Sequence, residues 1–341
     1  MRKYLITKEG NYYKANLHCH STVSDGRMTP EELKEAYKSQ GYSVLAYTDH
    51  NVLVDHSDLC DSDFLALKGY EMEINKPREE NGNRFKTCHI VLISKDENNR
   101  KMVCFNPELV WGNARGFLDI VEYDKNEPSY ERVYSPECIN DIVRRAKEGG
   151  FYTIYAHPTW SCQRYNDYIK YENFDAMEMY NHGCVVEGNN DINDHVYEDF
   201  LYSGKMLACV ANDDNHNACV TDSSRANDSF GGYTMIKAPS LSYSDIIHSL
   251  ETKNFYCSTG PEIKELFWDN NRVCVQSSEA EMICYLGSTQ WAQRVNRNVA
   301  DKLTMATFVP NGKDEWFRIK VIDKDGNAAY SNAYYLADLR K

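Results

Sequence analysis

No stretch of this 341-residue chain approaches 18 consecutive apolar positions, so the sequence offers no membrane span. The opening, MRKYLITKEGNYYKANLHCH, begins basic but lacks the apolar segment of a secretion signal. None of the 12 cysteines forms a C-x-x-C pair, which sets aside a thiolate zinc ribbon. Without a secretion signal they read as reduced thiols of a cytoplasmic protein, not as a disulfide framework. Positive charge is in short supply: 38 Lys and Arg stand against 51 Asp and Glu, a net charge of −13. That balance argues against broad electrostatic binding of nucleic acid or an anionic membrane. Repeats and low-complexity tracts are also missing. What is present is an ordinary globular composition, 42% hydrophobic and 26% charged, in a chain long enough for one large domain or two ordinary ones.

The first 220 residues alternate strand-like and helix-like segments. YYKANLHCH, YSVLAYTDHN, FLALKGYEMEI, TCHIVLI, FYTIYAHP, FDAMEMYN and KMLACVANDDNH read as strands. TPEELKEAYKSQG and SPECINDIVRRAKEGG carry helix signals: a Thr29 or Ser135 cap, proline directly after it, and glycine at the end. Such alternation implies parallel strands with crossover helices. Residues 75–86 and 124–130 read as loops. From about residue 228 the pattern shifts to short strands with turns, one of them a hairpin around Asp325-Gly326 and not a calcium loop. We expect one domain over 1–261 and a smaller β-rich domain over 262–341.

In NLHCHSTVSDG, residues 16–26, a strand places His18 and His20 on one face, with Asp25 five residues on. Ten histidines in such a chain yield roughly 0.3 H-x-H pairs by chance, so the pair needs company. Company exists at other strand ends: Asp49-His50, Glu71 with Glu73 on the same face, His89, His157, and Asp214-Asn-His216. In a closed β/α barrel those ends gather at one mouth. Asp-His dipeptides also occur at Asp55-His56 and Asp194-His195, where polar surroundings imply surface roles, and His248 reads as structural. His182, just after a strand, reads either as a loop histidine or as a substrate-facing group.

The ordered set HCH, SDG, TDH, GYE, CHIVLI, AHP and DNH resembles the PHP (polymerase and histidinol phosphatase) metallohydrolases over residues 14–220. FYCSTGPEI and the β-rich tail resemble a two-domain subgroup. The resemblance implies an α/β fold, a distorted, TIM-barrel-like (β/α)7 barrel followed by a smaller sandwich-like β domain. It implies two or three divalent metals. His18, His20, Glu71 and Asp214 would hold the first, Asp25, His50 and His216 the second, and Glu71, His89 and His157 the third, with Glu71 bridging. Nitrogen and oxygen ligands without thiolates suit manganese, iron or zinc. Asp49 is expected to orient an imidazole. The last motif departs from the family's G-S-D-x-H, because Asp213 adds a carboxylate.

The expected chemistry is attack of a metal-bound hydroxide on a phosphate ester. Arg164, seven residues past His157, is the first candidate to clamp the phosphoryl oxygens, and Arg225 the second. Asp25, His182 and a metal-bound water are the candidates for the leaving-group acid. A small phosphorylated metabolite or nucleotide is the expected substrate, with no nucleic-acid polymer and no membrane as partner. The rivals are a metal-dependent amide or ring hydrolase and a non-catalytic metal-binding scaffold.

Overall fold

The order Thr29-Pro30-Glu31-Glu32 starts the first helix as its chemistry requires. The Thr29 hydroxyl accepts the Glu32 N–H at 3.2 Å, and the Glu32 carboxylate accepts the Thr29 N–H at 2.8 Å. This helix, α1 (Pro30–Ser39), buries Leu33 and Tyr37. Ser135 caps α2 (Pro136–Glu148), which turns Ile139, Ile142, Val143 and Ala146 inward. Each large apolar side chain so buried contributes about 1.5–3 kcal/mol. The computed structural model describes residues 2–77, 86–298 and 301–341, so 78–85 of the loop expected over 75–86 lie outside it. Among the described residues, no helix is long and apolar enough to cross a membrane.

Seven strands lie side by side in chain order: β1 (Asn11–Asn16), β2 (Val44–Tyr47), β3 (Leu65–Asn75), β4 (Thr87–Ser94), β5 (Phe151–Tyr155), β6 (Ala176–Asn181) and β7 (Ala208–Asn212). Six run parallel, as the alternation implies, but β4 is antiparallel to both β3 and β5. The connection from β3 to β4 is too short for a crossover helix, so the chain reverses directly. Reversal brings the start of β4, not its end, to the mouth where the other strands finish.

The mixed sheet is large but open, which corrects the expectation of a closed (β/α)7 barrel. The free edge of β1 is taken by the antiparallel strand β8 (Tyr233–Ala238). Its Thr234 hydroxyl accepts the N–H of Ala211 and donates to the Ala211 carbonyl, both at 3.2 Å, so β8 stands where β7 would have met β1. The two ends meet at the strand tips and just beyond them. There Asp214 N–H donates to His18 O (3.0 Å) and His20 N–H to Asn215 O (3.2 Å).

After β8 come α4 (Tyr243–Glu251), numbered after α3 (Asp194–Tyr202), and β9 (Phe255–Ser258). Then follow β10 (Ile263–Asp269), β11 (Arg272–Ala280), β12 (Met282–Gly287), β13 (Gln293–Asn296), β14 (Leu303–Phe308), β15 (Trp316–Ile322) and β16 (Ala328–Ser331). The large sheet continues from β8 through β9, β16, β15 and β12 to β13. A second sheet stacks Lys3–Tyr4, β10, β11 and β14. Val273, Val275 and Trp268 of one sheet share a buried apolar cluster with Ile283, Phe317 and Ile319 of the other. A folding division at 261/262 is a proposal, since the β9–β16 pair runs across it. The Asp325-Gly326 turn joins β15 to β16. There the Asp323 carboxylate is occupied by the N–H groups of Asp325 and Asn327, at 2.9 Å each.

Candidate metal centre

Past β1 the chain stays extended, so His18 and His20 share a side while Cys19 joins an apolar cluster with Tyr37 and Tyr47 on the other. Their Nε2 atoms are 3.1 Å apart. Ser24-Asp25-Gly26 then folds back on this strand. Gly26 N–H donates to Ser21 O, and a Cβ at Gly26 would lie 2.5 Å from the His20 carbonyl oxygen, so only glycine fits. Asp49 does not orient an imidazole, as the sequence led us to expect. Its carboxylate accepts the N–H and hydroxyl groups of Ser21 and Ser24 at 2.8–3.0 Å, which holds the Asp25 loop in shape.

Glu71, completely buried on β3, is the hub. Its Oε1 lies 2.9 Å from His89 Nδ1, 3.0 Å from His157 Nε2 and 3.3 Å from His18 Nε2. Its Oε2 lies 2.9 Å from His50 Nδ1 and 3.5 Å from His20 Nε2. Asp214 Oδ1 is 3.0 Å from His20 Nε2 and 3.2 Å from His18 Nε2. Asp25 faces His216 (3.4 Å), His20 (3.8 Å) and His50 (3.9 Å). All nine expected ligands thus meet, in four overlapping groups: His20, Asp25, His50 and His216; His18, Glu71 and His157; His18, His20 and Asp214; His50, Glu71 and His89. These differ from the expected sets in that His20 also belongs with Asp25, and His50 also with Glu71. The backbone is left-handed at His157 (φ 24°) and Asp214 (φ 52°), a strain that concentrates at functional positions.

The donor set fits divalent cations. Buried His20 Nδ1, His50 Nδ1, Glu71 Oε2 and Asp214 Oδ1 have no hydrogen-bond partner, although His50 Nδ1 is close to two carboxylates. Each such orphan costs about 1–3 kcal/mol, an arrangement that bound cations would relieve. Burial favours the neutral Glu71 acid, yet the His89, His18 and His50 charges hold its carboxyl well below the ordinary range. Burial likewise opposes charge on His157 and His216. The Glu71 hydrogen bond in the first case and Asp25 in the second nevertheless push each ring up to about 9.

Sequence reasoning missed Glu178, the lone carboxylate of the largely apolar β6. It accepts His18 Nδ1 (2.8 Å) and the His157 N–H (2.9 Å), which leaves the His18 Nε2 lone pair facing the centre. Its one sequence signal is an acid inside an apolar strand. Asp213 turns its carboxylate away, to Tyr37 OH and the N–H groups of Phe230, Gly231 and Gly232 at 2.8–3.0 Å.

A cavity of about 830 Å³ opens over the hub, while cavities of about 320 and 420 Å³ elsewhere contain none of the nine residues. Asp25 and Arg225 line the large cavity. Arg164 and His182 do not. Arg164 is exposed and donates to the neighbouring Gln163 carbonyl, and His182 Nδ1 pairs with Tyr180 OH at 2.9 Å. Seven residues past His157 the chain has already turned out to solvent. Arg27, directly after Ser-Asp-Gly, was missed; it lines the cavity with no side-chain partner among the described residues. Trp111 and Trp160, 40% and 37% exposed, form walls, Trp111 being pinned by its Nε1–H donating to Glu73 at 3.0 Å.

The family model described as the PHP domain matches residues 16–105, which hold His18, His20, Asp25, His50, Glu71 and His89. A 5'-3' exoribonuclease of Haemophilus influenzae is 34% identical over 91 residues, or 26% of this chain. The match spans 31% of that relative, so this chain covers about a third of its length. Two solved structures are similar over longer stretches. A two-domain protein from Bacteroides vulgatus, described as containing a predicted PHP-like metal-dependent phosphoesterase, is 15% identical. It covers 96% of this chain and 98% of its own, with a TM-score of 0.44. An amidohydrolase from Chromobacterium violaceum is 17% identical over 59% of this chain and 87% of its own, with a TM-score of 0.36. Over residues 16–105, then, the chain is similar to the PHP-domain proteins.

Proposed function

We propose that the chain hydrolyses a phosphate ester of a small phosphorylated metabolite or nucleotide with the help of two or three divalent ions, manganese, iron or zinc. The observation that carries this reading is the convergence of six imidazoles and three carboxylates on one cavity with four buried donor atoms unsatisfied. His18, His20, Glu71 and Asp214 would hold one ion, Asp25, His50 and His216 a second, and His89, His157 and Glu71 a third. Bound there, such ions lower the pKa of a coordinated water toward about 7 and polarise a phosphoryl oxygen.

The chain's own groups supply the rest. Glu71 offers its two oxygens to different imidazole sets, as a bridging carboxylate must. Glu178 fixes the His18 ring so that one nitrogen alone faces inward. Arg27 and Arg225 replace Arg164 as the groups that neutralise phosphoryl oxygens, and Trp111 and Trp160 exclude water from the two sides. Of the residues proposed to act directly on substrate, we assign Asp25 to cation binding and give His182 no role.

The exoribonuclease relative raises RNA as a competing substrate. The net charge of −13, with two arginines at the cavity, favours a small molecule. Two product measurements decide the matter, inorganic phosphate from an ester and nucleoside monophosphates from RNA. The protein is loaded separately with manganese, iron and zinc and offered sugar phosphates, nucleotides and a short 5'-phosphorylated RNA, with His18→Ala as control. We expect metal-dependent release from a small ester, absent in the control. Failure on every ester with metal demonstrably bound would overturn the reading in favour of amide hydrolysis or a non-catalytic metal domain.

A further inference from the structure

Four consecutive residues, Asp191–Asp194, lie between β6 and the body of α3 and touch two distant parts of the molecule. At one end the buried Asp191 carboxylate accepts the N–H groups of Thr159 (3.2 Å) and Trp160 (2.7 Å). Asn193 accepts the Thr159 hydroxyl at 3.2 Å and donates to the Glu178 carbonyl at 3.1 Å. These contacts hold the turn that follows His157, whose left-handed backbone needs such support. At the other end Asp194 Oδ1 accepts Arg318 Nη1 at 2.8 Å and Oδ2 accepts Lys320 Nζ at 2.6 Å. Arg318, 1% exposed, also donates to Glu198 at 2.7 Å. Both cations stand on β15, far along the chain from the metal centre.

We infer that Asp191–Asp194 is a strut by which Arg318 and Lys320 hold the His157–Trp160 turn in place, so that the C-terminal strands position one side of the cavity. Three features make the link stiff. The segment is short, at most about 3.6 Å per residue. Its own backbone is tied to β6, through Asn181 N–H to Asp191 O (3.2 Å) and Asn193 N–H to Met179 O (2.8 Å). Both ends are gripped by charged or buried hydrogen bonds, which are stronger than exposed neutral ones. A purely structural role for the ion pairs would steady α3 against β15 and leave the turn unaffected. The consequence for turnover rests on the phosphoesterase reading, whereas the positional claim does not.

Hydrogen exchange of the metal-free protein separates the two. In Lys320→Met, a mild change because the lysine is partly exposed, the amides of Thr159 and Trp160 should exchange about tenfold faster while β1 and β2 keep their protection. Arg318→Met should show a larger effect. Asp191→Asn sets the limit for loss of the near grip, and Asp191→Asn/Lys320→Met should exchange no faster than Asp191→Asn alone. Unchanged Thr159 and Trp160 protection in Lys320→Met, or additive effects in the double variant, would overturn the inference. If Arg318→Met fails to fold, Lys320→Met still decides. In the loaded enzyme the same variants should raise KM more than they lower kcat. Absence of any turnover would count against the phosphoesterase reading and leave the exchange result standing.

Discussion

Two charge clusters in this molecule, each built on a buried residue, follow opposite rules. Around Glu71, six imidazoles and three carboxylates crowd within reach of one another, yet four of their polar atoms have no partner. Around Arg318, two cations meet two carboxylates at 2.6–2.8 Å, and Arg318 Nε alone is left over. The second cluster is neutralised from within the chain. The first is built from imidazoles and carboxylates with no Lys or Arg among them, a donor set that a cation from outside would complete. Unsatisfied buried polarity marks the place where a protein binds, and satisfied polarity the place where it braces.

Removing the hub should give the largest effect and sharpen the contrast most. Glu71→Gln keeps the shape and removes the charge. It should abolish metal-dependent phosphate release. Manganese at about 100 times its Kd should stabilise the natural protein by about 2.7 kcal/mol, and Glu71→Gln should lose most of that gain. Thermal unfolding with and without the ion measures this. Equal stabilisation of both proteins would mean that the Glu71 cluster is not the ion's site.

In the braced cluster, Asp194→Ala should cost stability even without metal. Arg318 is buried but Asp194 is 29% exposed and Glu198 still faces Arg318, so we expect the loss of a charged hydrogen bond, about 1.5–3 kcal/mol, and not that of a fully buried pair. Urea unfolding should show a lower midpoint with an unchanged slope. A loss under about 0.5 kcal/mol, the size of an ordinary surface substitution, would erase the distinction between the clusters.

The two clusters also differ in how much of them the sequence discloses. Ligands sit at strand ends in short motifs, HCH, TDH, AHP and DNH, because each strand delivers its side chains where it stops; the whole set could therefore be named. His89 fits only once β4 is seen to run backwards. The open sheet was hidden, because nothing in FGGYTMIKAP announces that it will claim the edge of β1. Glu178, Asp191 and Arg318 are single charged residues in apolar or polar surroundings, and their partners His18, Trp160 and Asp194 lie 160, 31 and 124 positions away. Spacing carries no trace of such pairs. Arg164 lies off the cavity lining for a similar reason: chain proximity to His157 says nothing of the turn between them.

Glu178 tests the border between the two rules, since it is fully paired yet touches the unsatisfied centre. Its carboxylate accepts from His18, His157, Asn181 and Asn212. Glu178→Gln should leave the fold intact and weaken metal affinity about 10–100-fold, as loss of a ligand-orienting partner does. Competition with a chelator measures it. Unaltered affinity would make Glu178 a brace like Asp194.

The smallest effect is one of acidity. Burial pushes the Asp194 carboxyl up, but Arg318 and Lys320 outweigh burial and hold it below the ordinary carboxylate value. A carboxyl depressed in the folded state contributes stability that is fully present above its unfolded pKa of about 3.9. That contribution is lost as the pH falls through the folded value. The stability advantage of the natural protein over Asp194→Asn should therefore be level from neutral pH down to about 5 and then narrow as the acid titrates. Urea midpoints at successive pH values follow the gap. If the gap instead widened with acid, the Asp194 carboxyl would have to lie above its unfolded value, and Arg318 and Lys320 would not outweigh its burial.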